Sequence, residues 1–246
     1  MKRVLLKLSG EALANGSGEI YDITFVDKVA SVLKECMDKG HEVAIVVGAG
    51  NIWRGRTGGE MDRTNADRMG MLATVINCIC VKDALVRVGA EAVVMTAIPM
   101  YPFAELYSAD AAKAALSGGK IVIFGAGMGV PFLSTDTAAA VRAAEISADA
   151  ILMAKNVDYL YTDDPRKNPD AKWIPTVEEI TPEIQALAGG AGSGLGSGGM
   201  ATKIRAAKIV MDAGIDMVIM NGERPDLLYD LFQGEAVGTR FLGKKG

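Results

Sequence analysis

Glycine loops and charged residues at the ends of predicted strands are the groups in this sequence best suited to chemistry. The first loop, Gly125–Gly129, follows the apolar run Lys120–Phe124 and leads to Ser134–Asp136, just before the Ala-rich helical run Thr137–Ile146. Glycine permits backbone turns that are closed to bulkier residues. Backbone N–H groups at such a turn and the dipole of the following helix attract anions. The stretch therefore predicts an anion-binding loop, although a tight turn without a ligand has the same pattern.

A second glycine loop strengthens the first interpretation. Gly48–Asn51 follows another predicted strand, and Arg54 and Arg56 come shortly after it. Lys7 lies near the exit of the predicted strand Arg3–Leu8, at the edge where open parallel sheets bind ligands. Two such loops, an early lysine and two arginines together predict a site for a polyanion such as a nucleotide.

The low-complexity segment Gly189–Gly199 permits two interpretations. Its composition is typical of a flexible linker. It also directly precedes the predicted helix Ala201–Ala213, so that Lys203 lies in the first helical turn, as it would after a third phosphate loop. Asp67 also permits two interpretations. It is either a favourable charge near a helix start or an acceptor for ligand hydroxyl groups.

The composition excludes several classes of protein. The chain has 246 residues, half of them hydrophobic, and a net charge of −4, which argues against nucleic-acid binding as its main function. No apolar run approaches the roughly 20 residues of a membrane span, and residues 1–10 suggest a strand rather than a signal segment. Cys36, Cys78 and Cys80 are expected to be reduced core residues, and the single histidine, His41, argues against a histidine triad. We expect a cytoplasmic enzyme or binding protein with no nucleic-acid or membrane partner.

The elements that must position these groups alternate between strand and helix. This alternation predicts an α/β fold, a three-layer αβα sandwich around a mainly parallel sheet. The long helix Asn65–Arg87 is expected to turn Met69, Leu72, Ala73, Ile76, Ile79 and Cys80 inward, and Gly238–Leu242 is expected to be an edge strand. Further strands are predicted at Glu42–Val47, Glu91–Thr96, Ala150–Ala154 and Asp216–Met220, and further helices at Ile23–Lys39 and Ala109–Leu116.

Five motifs resemble, in order, those of the bacterial UMP kinases, a group within the amino acid kinase family. They cover roughly the first two thirds of the chain, and no G-x-x-x-x-G-K-[ST] run of a P-loop kinase occurs. Two details depart from that group, since Ala49 replaces a usual glycine and the loop GAGMGVPF is one residue longer. The motifs are KLSG at 7–10, GAGNIWRGR at 48–56, DRMGMLAT at 67–74, PFLSTDTAAA at 131–140 and VDYLYTDDP at 157–165.

The resemblance implies roles for individual residues. Lys7 would balance charge on the transferring phosphoryl group, and Asp136 would orient the lysines or the metal. Mg²⁺ would arrive with ATP, held by phosphates and water rather than by a set of protein ligands. The other implied ATP-binding residues are Leu8, Ser9, Gly10, Gly50, Arg54, Tyr161 and Asp164. The implied UMP-binding residues are Ala49, Asp67, Met128, Gly129, Val130, Pro131, Phe132, Leu133, Ser134 and Thr135.

The C-terminal third carries a different resemblance. Residues 189–242 are more similar to glutamate 5-kinase and acetylglutamate kinase of the same family, in which the GGM-T-K helix start closes on the ATP phosphates. Lys203 would then be a second catalytic lysine, opposite Lys7. Because the acceptor motifs match the UMP pattern, the expected reaction is phosphoryl transfer from ATP to UMP. Glutamate 5-kinase, or another small-acid kinase, and a non-catalytic nucleotide sensor are the alternatives.

The resemblance also implies the organisation of the chain. We expect one amino acid kinase domain over 1–246, in which 1–155 is mainly the acceptor half and 156–246 mainly the ATP half. A homohexamer is implied by the same resemblance.

Overall fold

A β-sheet forms the centre of the chain. The computed structural model describes residues 1–16, 18–53, 60–155, 158–163, 168–187 and 200–244. The strands of that part of the chain are β1 (Arg3–Leu8), β2 (Glu42–Val47), β3 (Ala92–Thr96), β4 (Glu105–Leu106), β5 (Ile121–Gly125), β6 (Ala150–Lys155), β7 (Leu160–Tyr161), β8 (Trp173–Ile174), β9 (Thr176–Val177), β10 (Asp216–Asn221) and β11 (Thr239–Phe241).

The described strands form one sheet of nine and one of two. The spatial order of the larger sheet is β4-β3-β5-β2-β1-β6-β10-β11-β9, and β7 pairs with β8 separately. Neighbours in the larger sheet run parallel except β10 and β11, which are antiparallel. Parallel strands need crossover connections, which the helices supply. The helices are α1 (Gly10–Ala14), α2 (Ile23–Asp38), α3 (Arg63–Arg87), α4 (Ala109–Ser117), α5 (Thr135–Glu145), α6 (Pro182–Leu187), α7 (Met200–Asp212) and α8 (Leu227–Gln233).

Helices cover both faces of this sheet. Successive side chains of a strand point to opposite faces, so Leu6 and Leu8 of β1 pack in one apolar cluster, while Leu5 packs in the other. Residues of α2, α3 and α8 share the first cluster, and residues of α4, α5 and α7 share the second. The predicted three-layer αβα architecture is confirmed.

Two predictions about faces and edges are wrong. The segment Thr239–Phe241 is not an edge strand, because β9 pairs with its outer side through Thr176 and Val177. A two-residue strand such as β9 has too little sequence pattern to be recognised in advance. The other principal strands and helices were predicted to within about two residues of their observed bounds, the usual uncertainty of element ends.

The orientation of α3 is the second correction. Met69, Leu72, Ile76 and Ile79 were expected in the core, but their exposed fractions are 39–52 %. Ala73 is buried as predicted, and Cys80 is half-buried. Because α3 carries apolar residues on all of its sides, the periodicity of its apolar residues could not identify the face that is buried. The residues that are buried instead include Ala66, Thr74, Val75, Asn77, Cys78 and Val81.

The apolar circumference of α3 also has the length and composition of a membrane span. Among the described helices it alone passes that test, with 44 % of the relevant window buried inside the fold. A core helix of a water-soluble domain passes the same test. Because Cys78 and Val81 of α3 pack in the same cluster as strands β1 and β2, its composition is weak evidence for a membrane.

Candidate active site

The carboxyl ends of three neighbouring strands meet at one edge of the sheet. In β1, Lys7 lies opposite Val46 of β2 and Met153 of β6. On its other side Val46 lies opposite Phe124 of β5. The turns that follow β1, β2 and β5 are therefore side by side, as the two glycine loops and the early lysine predicted.

Asp136 is the centre of charge at this edge. Its side chain is fully buried, and its Oδ1 lies 2.9 Å from Lys7 Nζ. Its Oδ2 accepts hydrogen bonds from Lys203 Nζ at 2.9 Å and from Thr202 Oγ1 at 2.7 Å. The lysines are almost as deeply buried, with 4 % and 3 % of their surfaces exposed. The cluster thus places two ammonium groups on one carboxylate.

These charges set the ionisation of Asp136. Burial alone would raise the pKa of Asp136, but the ammonium groups of Lys7 and Lys203 outweigh burial and hold the pKa below the ordinary range of an aspartate. Asp136 is therefore a carboxylate at neutral pH. Each of its oxygens faces one ammonium group, since Lys7 Nζ lies 2.9 Å from Oδ1 and Lys203 Nζ lies 2.9 Å from Oδ2.

Two helix starts deliver these groups. The Ser134 side chain caps α5 by accepting a hydrogen bond from Thr137 N at 3.1 Å, as the sequence predicted. The cap places Asp136 in the first turn of α5, where the helix dipole favours a negative charge. Lys203 is the fourth residue of α7, so both charged groups are at helix starts that point toward β1.

The turn after β1 packs directly on the turn after β2. Gly48 N donates a hydrogen bond to Leu8 O at 2.9 Å. A Cβ on Gly10 would stand 2.6 Å from Gly50 N and 2.9 Å from Ala49 C, which is closer than real Cβ atoms approach. Only glycine fits at position 10, and the backbone N–H groups of the two turns lie within one small region.

The segment after β5 contains two strained residues that α3 holds in place. Ala126 and Phe132 have φ angles of 60° and 68°, a left-handed conformation that costs about 1–2 kcal/mol in residues with a Cβ. The N–H of Ala126 donates to Thr74 Oγ1 at 2.9 Å, and the N–H of Phe132 donates to Asp67 Oδ2 at 2.8 Å. The two side chains of α3 thereby shape the loop that was predicted to enclose the acceptor.

The family model of the amino acid kinases matches residues 2–221 of this chain. The chain belongs to the amino acid kinase family.

Individual relatives extend this match over the whole chain. Two proteins described as uridylate kinase, from two strains of Streptococcus thermophilus, are each 42 % identical over 249 aligned positions that cover 99 % of this chain and 96 % of theirs. Among solved structures, a UMP kinase from Bacillus anthracis superposes with a TM-score of 0.86 at 34 % identity, covering 99 % of this chain and 97 % of that one. A UMP kinase from Ureaplasma parvum superposes with a TM-score of 0.84 at 30 % identity, covering 98 % of each chain.

This amino acid kinase brings together most of the predicted site residues that the structure describes. Lys7, Gly10, Gly50, Asp136 and Lys203 lie at the common edge described above. Among the other predicted contacts, Leu8 ends β1 and is buried, Ser9 caps α1, and Ala49 O accepts hydrogen bonds from Ile52 N and Trp53 N. Thr135 is the first residue of α5. The half-buried to exposed link from β5 to α5 contains Met128, Gly129, Val130, Pro131, Phe132, Leu133 and Ser134.

Other predicted residues lie in the second sheet or outside the described part of the chain. Tyr161 lies in the small β7-β8 sheet, with its ring 6.3 Å from the ring of Tyr159, which in turn packs on Trp173. Arg54, Asp164 and the glycine-rich segment 189–199 lie outside the described residues.

Sequence reasoning missed three polar residues of this kinase. Thr202 stands beside Lys203 and was recognisable only as part of the helix start. Thr74 and Asn77 lie inside the apolar run of α3, where no local signal separates a polar residue with a partner from one facing solvent. Asn77 is fully buried and donates a hydrogen bond to Gly48 O at 2.7 Å. Their partners come from elements far away in sequence.

The charged edge suits a metal that arrives with its ligand. Among the described residues no three His, Cys, Asp or Glu side chains converge as a metal site. Mg²⁺ commonly keeps several waters and binds through one or two carboxylates and the phosphates of a nucleotide. Asp136 is the one carboxylate in the Lys7 and Lys203 cluster, and both of its oxygens already face ammonium groups. A Mg²⁺ ion bound with ATP would therefore be held mainly by phosphates and water.

Proposed function

We propose that this chain is a UMP kinase, which transfers the γ-phosphoryl group of ATP to the 5′-phosphate of UMP and releases UDP and ADP. The observation that best supports this function is the buried Lys7–Asp136–Lys203 cluster beside three adjacent strand-end loops. Phosphoryl transfer depends on positioning and on neutralising charge rather than on covalent chemistry by the protein. A cluster with net positive charge beside backbone N–H groups supplies both.

The two lysines act on the transferring group in this proposal. Lys7 approaches from β1 and Lys203 from α7, so they stabilise negative charge on the phosphoryl oxygens from two directions. Asp136 keeps both ammonium groups aligned and does not take a proton, because its pKa is lowered. The transfer is direct and in line, and stereochemical analysis of a chiral phosphoryl group should give inversion at phosphorus. Net retention would contradict this direct transfer.

The ATP half of the site is assigned to the turns after β1 and β2. Leu8, Ser9, Gly10 and Gly50 line the triphosphate in this assignment, together with Arg54. Tyr161 and Asp164 serve the adenosine. Mg²⁺ bound with ATP neutralises charge on the phosphate oxygens, and the 156–246 half of a single domain carries most of the remaining ATP contacts.

The acceptor half is assigned to α3 and the segment after β5. Asp67 accepts hydrogen bonds from the ribose of UMP, while Ala49 and residues 128–135 enclose the uridine and its phosphate. The match to uridylate kinases covers 99 % of the chain, and therefore includes the C-terminal third that is similar to glutamate 5-kinase. This coverage favours UMP over glutamate.

The protein functions as a homo-oligomer in the cytoplasm in this proposal, a hexamer by its resemblance to the UMP kinases. The support for assembly is the exposed apolar face of α3, where Leu72, Ile76 and Ile79 are each between 43 % and 52 % exposed. Contiguous exposed apolar surface of this kind marks an interaction site. A second copy of the chain is the proposed occupant.

A coupled ADP-release assay with MgATP tests the function. UMP, CMP and glutamate are offered in parallel to the purified protein, and turnover with UMP is expected to exceed the other two by at least about a hundredfold, as expected where buried polar groups recognise the substrate. Turnover with glutamate alone would overturn the assignment. Nucleotide binding without any turnover would instead indicate a sensor of the same fold.

A further inference from the structure

Asn77 has a fully buried side-chain amide and no assigned role in the proposed reaction. All of its hydrogen-bonding capacity is used. Its Nδ2 donates to Gly48 O at 2.7 Å and to Asn51 Oδ1 at 2.8 Å. Its Oδ1 accepts from Tyr21 OH at 2.8 Å and from Asn51 Nδ2 at 3.2 Å. Asn51 and Asn77 therefore form a reciprocal pair of amides.

This network joins three elements at the turn after β2. Asn77 belongs to α3, Gly48 and Asn51 belong to the turn, and Tyr21 lies just before α2. Burial raises the pKa of Tyr21 to about 12, so its hydroxyl stays protonated and keeps donating at neutral pH. Asn51 Nδ2 also donates to Ile20 O at 2.9 Å, which fixes the amide from both sides.

The position of Asn51 controls the space between the two turns. Asn51 Oδ1 is the atom nearest to where a Cβ of Gly10 would stand, followed by Gly50 N at 2.6 Å. The two turns are therefore packed tightly, with no space between them for an added side-chain atom. A change in the Asn51 amide would move the backbone N–H groups of residues 48–51 relative to Ser9 and Gly10.

We propose that Asn77 is a positioning residue for the ATP phosphates, acting through Asn51 and Gly48. It touches neither nucleotide, but it sets the separation of the two turns that contact the triphosphate. The inference rests on the proposed function for its kinetic readout. A purely structural role would lower stability without distinguishing ATP from UMP.

The test compares three variants with the wild-type protein. Asn77→Asp keeps the shape but removes both donors and places a carboxylate against Gly48 O and Asn51 Oδ1. Asn77→Ala and Asn51→Ala remove one partner each. We expect each to raise the KM for MgATP or lower kcat by about tenfold or more. The KM for UMP should rise by a smaller factor, because Ala49 is the residue of this turn assigned to UMP. The double variant Asn51→Ala/Asn77→Ala should cost less than the sum of the two single changes, because both single variants remove the same pair of amide–amide hydrogen bonds.

A matched control lies at the other end of β2. Glu42 is buried and pairs with Arg3 at 2.6 Å and with Lys2 at 3.2 Å. Glu42→Gln should lower the thermal unfolding midpoint and leave the KM for MgATP unchanged. If Asn77→Ala does not fold, Asn51→Ala carries the test, because Asn51 is only half-buried.

Two results would overturn the inference. One is a set of folded Asn77 and Asn51 variants with wild-type kcat and KM for MgATP, and the other is full additivity in the double variant. If the wild-type protein does not turn over UMP, the proposed function fails by itself. Calorimetric titration with MgATP then replaces kinetics, and an unchanged Kd for MgATP in Asn77→Asp overturns the positioning role.

Discussion

Asp136 determines the electrostatics of the site at the scale of single residues. It is one buried carboxylate that compensates two buried ammonium groups, Lys7 and Lys203. Removing one member of a buried ion pair leaves an uncompensated charge, which typically costs 3–5 kcal/mol. The three residues are therefore not equivalent, because only loss of Asp136 leaves two lysines without a counterion.

The first prediction compares Asp136→Asn with Lys7→Met. Asp136→Asn should lower the free energy of unfolding by roughly 3–5 kcal/mol, while Lys7→Met preserves the Asp136–Lys203 pair and should cost less stability. Both should lower kcat by about a hundredfold or more, since electrostatic stabilisation of the transferring group is lost. Urea unfolding and the ADP-release assay measure the two effects. Lys28→Ala, at an exposed lysine of α2, is the control, and a Lys7→Met enzyme with wild-type kcat would refute the role.

Asp67, which we propose binds the ribose of the acceptor, is held by contacts on two sides. Its carboxylate accepts a hydrogen bond from Phe132 N at 2.8 Å, and both of its oxygens lie 2.9 Å from Arg63 Nε. The Arg63 guanidinium also lies over the Phe132 ring, 5.5 Å from its centre. Asp67 thereby joins the start of α3 to the loop after β5.

The second prediction concerns Asp67→Asn. Hydrogen bonds to a charged group are worth about 1.5–3 kcal/mol, so the KM for UMP should rise by about tenfold to a hundredfold. The KM for ATP should change by less than about twofold, by the same reasoning. Varying each nucleotide separately measures the two constants. Asp38→Asn, on α2, should change neither, and an equal rise for both nucleotides would show that Asp67 acts on the fold rather than on the acceptor.

At the scale of elements, α3 supports the site along one face and leaves the opposite face exposed. Asp67, Thr74 and Asn77 are spaced by seven and three residues and so share a face, and each is bonded to the backbone of a strand-end loop. Leu72 and Ile76 lie on the exposed face. One helix therefore links the loops after β2 and β5 to an outer apolar surface.

The third prediction tests the contact between the turns after β1 and β2. Gly10→Ala forces a Cβ against Gly50 N and Ala49 C, so backbone must move. We expect a loss of about 1–3 kcal/mol in stability, typical of overpacking, and at least about a tenfold lower kcat/KM for ATP, as misplaced groups at a site produce. Gly70→Ala is the control, because its Cβ would make only an ordinary 3.7 Å contact with Trp53. Alanine in α3 at position 70 should stabilise the protein by about 0.5–1 kcal/mol. Equal kcat/KM values for the two variants would contradict the close contact.

At the scale of the whole molecule, the outer face of α3 is the surface through which we propose that copies of the chain associate. Val86 continues the exposed apolar residues of this helix toward its C-terminus. The buried lining of α3 includes Val75, Val81 and Leu85, yet its exposed side also carries large apolar side chains. A surface helix of an isolated domain normally carries polar residues on its outer face.

The fourth prediction is that Ile76→Glu reduces the mass of the assembly. A charge buried against an apolar partner surface costs several kcal/mol unless it is paired, so the interface should open. Size-exclusion chromatography with light scattering measures the mass. Ile23→Glu, at an α2 residue with the same 52 % exposure, should leave the mass unchanged. Equal masses for the wild type and Ile76→Glu would place the interface elsewhere.

Much of the fold was predictable because its signals are local. The bounds of β1 and β2, the Ser134 cap and the glycine turns follow from apolar runs, capping residues and backbone freedom, which depend on a few neighbouring residues. The same local signals located Lys7, Asp136 and Lys203 at strand or helix ends. The sequence by itself therefore determined the class of the fold and the strand and helix ends at which Lys7, Asp136 and Lys203 lie.

Tertiary structure alone decided how those residues combine. The burial of Asp136 between Lys7 and Lys203 depends on α5 and α7 packing beside β1, and the bond from Asn77 to Gly48 depends on α3 packing behind the turn after β2. The outward face of α3 was undetermined for the same reason, since a helix that is apolar all round has no preferred side until its neighbours are in place. These contacts join segments that are distant in sequence, so a pattern of neighbouring residues does not reveal their contribution to the free energy of folding.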